Sequence, residues 1–300
     1  MIGLCGIIGS MLVVAVIFST KTLHTQCFGL IGIAGLGSLL VALHYVARWA
    51  DKLCAYFQLV SLRRTGNCLI TTGVLGLLGI PLNSQMTFAI GIDRLMSLVW
   101  PMWYRGLGKR YVACVGLVCG LVTSIQTVAA FASPVLHTEV QCRSLLDAVH
   151  ATFGSIFGAL NLFYSSFIVV VYLAMWICFR LKQRTWRLSQ AAPGATYASS
   201  NIMKQQIAMM PTVKLIMILY IVFGVMTEIL INLAIVIGRS NIVVAAVYEI
   251  AAVLKSGSAL VDIISLLSRS SKFRHHAASL ILRKNQTSIV PLNTGNSRNA

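Results

Sequence analysis

Ala89-Ile90-Gly91-Ile92-Asp93-Arg94-Leu95-Met96-Ser97-Leu98-Val99-Trp100-Pro101-Met102-Trp103-Tyr104-Arg105 closes a stretch without charge, since residues 65–92 hold no Asp, Glu, Lys, Arg or His. As a helix rising about 1.5 Å per residue, that stretch is longer than the ~30 Å hydrocarbon core of a bilayer. The first ionisable groups after it, Asp93 and Arg94, are adjacent and opposite in sign, and a proline and further cations follow. A membrane helix ending in a carboxylate–guanidinium pair has two readings. Any long span meets charge where it meets water, and a paired charge at that place can also act as a switch.

The composition places the whole chain in the membrane. Its 300 residues are 57% hydrophobic and only 10% charged, with mean hydropathy +0.83. A soluble domain carries roughly a quarter of its residues as charges. The net charge of +17 does not point to nucleic acid, because the cations lie in short segments between apolar runs, where positive-inside bias accounts for them. Met1 opens into an apolar run with no basic segment before it and no cleavage site after it, unlike a secretory leader.

Seven apolar runs follow in order, at about residues 2–18, 27–46, 68–94, 111–133, 151–179, 212–237 and 242–267. They predict an all-α membrane protein, a seven-transmembrane helix bundle over residues 1–268 with a cytoplasmic tail over 269–300. The first run is short for a span. It starts at the chain's second residue, so either the chain begins at the membrane or its start is truncated. With the N-terminus outside, the inner segments and tail hold 17 of the 24 Lys and Arg residues. The outer segments hold six, Arg48, Lys52, Arg63, Arg64, Arg143 and Arg239, and Lys255 lies within the seventh run. The N-out, C-in orientation follows. It puts Asp93-Arg94 on the cytoplasmic side, together with the sequon Asn285-Gln286-Thr287, which is then left unmodified. In the tail, Phe273, Ala277, Leu280 and Ile281 recur at helical spacing beside Lys, Arg and His. They predict a short amphipathic helix on the inner leaflet, followed by a disordered end.

Seven spans with Asp-Arg closing the third on the inner side are the pattern of a G-protein-coupled receptor. Gly91-Ile92-Asp93-Arg94-Leu95, with Pro101 and Tyr104-Arg105, resembles the nematode serpentine receptors of class sx, a rhodopsin-like chemoreceptor group. Asn67-Cys68 at the start of span three, Tyr172 in the inner half of span five, and Arg269-Ser270-Ser271-Lys272-Phe273-Arg274 after span seven agree with it. The resemblance implies a receptor, not an enzyme, in the plasma membrane, and in a sensory cilium if the family's habit holds. Its partners are a heterotrimeric G protein, an external small-molecule or peptide ligand and the lipid bilayer, with no nucleic acid and no cofactor. It implies that Asp93 restrains Arg94 at rest, that Arg94 is the switch and G-protein contact, and that Tyr172 partners it in the active state. Pro101 and Tyr104 shape the second inner loop, and Asp262 and Phe273 mark the inner span-seven motif. Cys68 and Cys142 both face the oxidising exterior, and rhodopsin-like receptors share a disulfide at this place.

Four charges fall inside spans six and seven: Glu228, Glu249, Lys255 and Asp262. Each costs about 2.5–3.5 kcal/mol at mid-span on insertion scales, which makes it a functional candidate. Glu228 and Lys255 can pair across adjacent helices, either as a structural tie or as a wall of the ligand pocket. With Asn161 and Glu249 they form the candidate pocket. Lys255 also raises a retinal-binding, opsin-like alternative, although spans two and three supply no carboxylate counter-ion and leave Glu228 or Glu249 to serve. A transporter is a further alternative, but no internal repeat accompanies it. The six histidines are scattered and make neither a catalytic cluster nor a metal centre.

The chain also departs from the rhodopsin-like pattern. Gly9-Ser10 stands for a Gly-Asn pair, Gly37-Ser38 for an aspartate, and Gly224-Val225 for a Gly-Trp. Spans six and seven lack proline, so their kinks need another cause. No acid occurs between Arg180 and Thr227 to lock Arg94 to span six, so either basal signalling is high or the receptor is a divergent or decayed copy.

Overall fold

The computed structural model describes residues 2–19, 26–57, 63–64, 73–132, 139–140, 151–190, 218 and 221–237, and, beyond these, residues 246–247, 249–251, 253–254, 257, 274 and 277–279. The chain is a bundle of apolar helices. Span one is Ile2–Ser19, span two Gln26–Tyr56, span three Val74–Val99, span four Lys109–Phe131 and span five Ala151–Gln190. Span six is described as a π-turn, Ile221–Val225, running into the α-helix Met226–Ile237. The described residues from 246 to 257 are helical and belong to span seven. Four of these helices are long and apolar enough to cross a membrane, with two shorter apolar ones beside them.

Span three is the hub. It packs on spans two, four and five, with span one outside span two and span six against span five. Span four, by contrast, turns Leu117, Leu121, Ile125 and Val128 outward, as a lipid-facing helix does, because hydrocarbon solvates leucine as well as a protein core would.

Spans two and three approach most closely where both lack side chains. A Cβ on Gly79 would lie 2.7 Å from the Val41 backbone nitrogen, and one on Gly37 would lie 3.0 Å from the Asn83 nitrogen. The Ser38 hydroxyl donates to Asn83 Oδ1 at 3.2 Å in the same seam. Small residues let helix backbones meet in lipid, where packing and polar contacts replace the hydrophobic effect. Gly37-Ser38, the departure noted in span two, therefore has a packing role.

Pro81 sits inside span three and cannot donate to the carbonyl four residues back, which is that of Leu77. The Thr127 hydroxyl of span four, which donates to Thr123 O at 2.9 Å, also reaches Leu77 O at 3.5 Å. A neighbouring hydroxyl thus takes up the freed acceptor, as membrane helices require.

Three expectations are sharpened. Span three does not end at Asp93-Arg94. Its helix runs on to Val99 and breaks at Trp100 (φ −122°, ψ 65°), because the residue before Pro101 is disfavoured in the α region. Span two runs ten residues beyond Val46, which puts Arg48 and Lys52 on a helix, not in a loop. The missing proline of span six is replaced by the π-turn around buried Gly224, one of the recognised causes of a helix kink. After span seven, Ala277 is buried against Val13, Val16 and Ile17 at the end of span one, while Arg274 and Ser279 are exposed. Ala278 is exposed as well, and Phe273, Leu280 and Ile281 of the expected amphipathic helix lie outside the described residues.

Candidate functional site

Asp93 is fully buried. The break at Trp100 turns the chain into a short helix, Pro101–Gly106, which carries Tyr104 back to the end of span three. Its phenol oxygen lies 3.0 Å from each Asp93 carboxylate oxygen and donates to that carboxylate. Hydrogen bonds to an ionised acceptor are roughly twice as strong as neutral ones. The Pro101 and Tyr104 spacing thus serves to seal Asp93 from water. Arg94, next in the chain, shares its charge interaction.

Tyr172 of span five is 5% exposed and lies in a cluster with Leu98, Ile168, Met175 and Phe179. A Cβ on Gly91 would meet the Tyr172 ring at 3.7 Å, so Tyr172 stands one turn from Arg94. The structure therefore brings Asp93, Arg94, Tyr104 and Tyr172 to one end of the bundle. It adds a residue that sequence reasoning missed, since the Lys182 ammonium of span five donates to the Leu98 carbonyl of span three. A cation on a helix's last carbonyls is favourable. The span-five helix extends eleven residues past Phe179, and that extension places Lys182 there.

At the opposite end of span three's neighbours lies a polar cluster. Glu249 of span seven forms ion pairs with Arg48, at 3.1 Å, and with Lys52. Tyr45 lies in electrostatic reach of Arg48, Glu228 and Glu249, and its ring stacks at a tilt on His44. Glu228 is 3% exposed. One turn on, the Asn232 amide donates to Glu228 O at 2.8 Å and to Gly158 O of span five at 3.4 Å. Asn161 is buried and donates to Phe157 O within its own helix. Glu228 and Glu249 thus share one cluster, and span two joins it through Tyr45, Arg48 and Lys52. The i, i+4 spacing of Arg48 and Lys52 was the available signal, hidden by assigning both to a loop. Glu249 is already engaged by two cations, which weakens it as a counter-ion for a retinal on Lys255. Lys255, Asp262, Phe273, Cys68 and Cys142 lie outside the described residues.

The family model described as serpentine-type seven-transmembrane G-protein-coupled chemoreceptor Srsx matches residues 3–281. A comparison with curated proteins finds no match. The chain belongs to the Srsx chemoreceptor family. It is a multi-pass membrane protein of a non-enzymatic receptor class, and a G protein and an external ligand are the partners that class implies.

Proposed function

We propose that this chemoreceptor resides in the plasma membrane, by family habit in a sensory cilium. It converts binding of an external small molecule or peptide into heterotrimeric G-protein activation at the Asp93–Arg94 end of span three. The observation that carries the reading is the buried Asp93 carboxylate gripped by Tyr104. It amounts to a preformed restraint beside Arg94, with Tyr172 a turn away as partner once the helices shift. Ligand binding moves this equilibrium only through its preference for the active arrangement. The pocket comprises Asn161, Glu228 and Glu249, with Lys255, and Asp262 and Phe273 belong to the inner span-seven motif. A Cys68–Cys142 bridge ties the outer loops.

Lys182 holds span five to span three at the inner end, a tie separate from the span-six acid that this chain lacks between residues 180 and 227. Lys182→Met keeps the side-chain stem and removes the donor. It is expected to raise ligand-independent signalling about two- to fivefold at matched surface expression, the scale of a partly exposed charged contact. The function itself is tested by a chemical panel in cells carrying a G-protein reporter. Responses that vanish when the G protein is removed support it. Conductance or uptake persisting without G protein overturns it in favour of transport.

A further inference from the structure

We infer that the Arg48–Lys52–Glu249 cluster recognises small anionic ligands, carboxylates above all, with Glu249 occupying the ligand's position in its absence. The inference rests on the receptor reading above and names the ligand class.

Arg48 and Lys52 are four residues apart, hence on one face of one helix. That helix is seated on span three at Gly37 and Gly79, so the backbone that carries the two cations is held apart from span seven. They lie near the end of the bundle that the loop charges assign to the exterior. Both meet the same oxygen, Glu249 Oε1, and a guanidinium beside an ammonium matches a carboxylate in shape and charge.

Exposure decides which member can be exchanged. The side chains of Arg48, Lys52 and Glu249 are 11%, 29% and 36% exposed. An incoming carboxylate leaves both cations paired and releases Glu249, the most accessible of the three, to water. An incoming amine would instead take Glu249 and strip its counter-charge from the buried Arg48 guanidinium. Stranding a buried charge costs far more than stranding a hydrated one, so the acid is the favoured guest. An acid that takes Glu249's place keeps one carboxylate on the two cations. The Lys52 ammonium lies 5.4 Å from the Trp49 ring centre, and Trp49 is about half exposed. The indole offers apolar surface to the carbon skeleton of such an acid. Because the ion pairs join span two to span seven, displacing Glu249 frees span seven, which gives the ligand a preference for the shifted bundle.

The test uses the full-length receptor purified in detergent and a panel of aliphatic and aromatic carboxylates, each with its methyl ester and matching amine. Binding is read as ligand-induced thermal stabilisation, which needs no G protein. At least one acid is expected to stabilise the receptor where its ester and amine do not. Glu249→Gln, which removes the internal competitor, should tighten that Kd roughly tenfold, and Lys52→Gln should weaken it roughly tenfold, the scale of one charge-assisted hydrogen bond. Stabilisation by no acid, stabilisation by esters or amines instead, or an acid Kd that neither variant moves would overturn the inference. Acid binding with these variant effects but no reporter signal upholds this site and counts against G-protein coupling. Reporter responses to neutral molecules with no acid binding do the reverse.

Discussion

Gly79→Val removes the folded receptor from the cell surface. A Cβ at position 79 would stand 2.7 Å from the Val41 nitrogen and 3.0 Å from the Leu40 carbonyl carbon. These are backbone atoms and cannot rotate aside, so spans two and three must separate. A gap of 0.5–1 Å already forfeits about a quarter to a half of each dispersion contact along the seam. The Ser38–Asn83 hydrogen bond at 3.2 Å would be stretched with it. Overpacking alone costs about 1–3 kcal/mol, and the seam losses add to that within a total stability of about 5–15 kcal/mol. Surface expression should fall by about tenfold or more. Gly120→Val is the control: a Cβ there meets nothing within 4 Å, and expression should hold. Equal loss in both variants would mean that close approach at Gly79 is not what the fold depends on.

Exchanges at Asp93, Arg94 and Tyr104 should move signalling in opposite directions. Arg94→Ala removes the proposed G-protein contact and should abolish the agonist response while leaving surface expression intact. Tyr104→Phe removes the hydroxyl that sits 3.0 Å from both Asp93 oxygens. A hydrogen bond to a charged group contributes about 1.5–3 kcal/mol. If it exists only in the resting arrangement, its loss shifts the equilibrium roughly tenfold or more toward activity. Basal signalling should rise accordingly. Asp93→Asn should raise it further, because the neutral amide can still meet Tyr104 but no longer holds the neighbouring guanidinium. The double variant should show less than the sum of the two effects, since both changes weaken interactions that meet at the one Asp93 side chain. Unchanged basal signalling in both single variants, at matched surface expression, would remove Asp93 from the role of restraint.

The parts of this receptor that were legible in its sequence share one physical property: they are local. Burial in lipid is read residue by residue, so the apolar runs and the bias of Lys and Arg between them imply a bundle and an orientation before any contact is known. Asp93-Arg94 stood out for the same reason, as charge at the close of a charge-free stretch, and Pro101 marked the break that follows it. Insertion cost flagged Glu228, Glu249, Lys255 and Asp262 and suggested a Glu228–Lys255 pair, but it says nothing about which helix face meets which, and Arg48 and Lys52 were not seen as partners of Glu249.

Contacts between distant residues were decided only by packing. Tyr104 reaches Asp93 because the chain turns at Trp100, a turn whose direction the proline does not specify. Glu249 finds Arg48 and Lys52 some two hundred residues away, and Lys182 finds Leu98 across 84 residues. Each of these depends on how far a helix extends past its apolar run and on how closely its neighbours approach. Glycines set that approach at Gly37 and Gly79, where hydropathy carries almost no signal. Hydropathy therefore determined that the helices lie in the membrane. The placement of their side chains against one another, and with it the Tyr104–Asp93 contact and the Arg48–Lys52–Glu249 cluster, arose from many weak contacts that exist only once the bundle has closed.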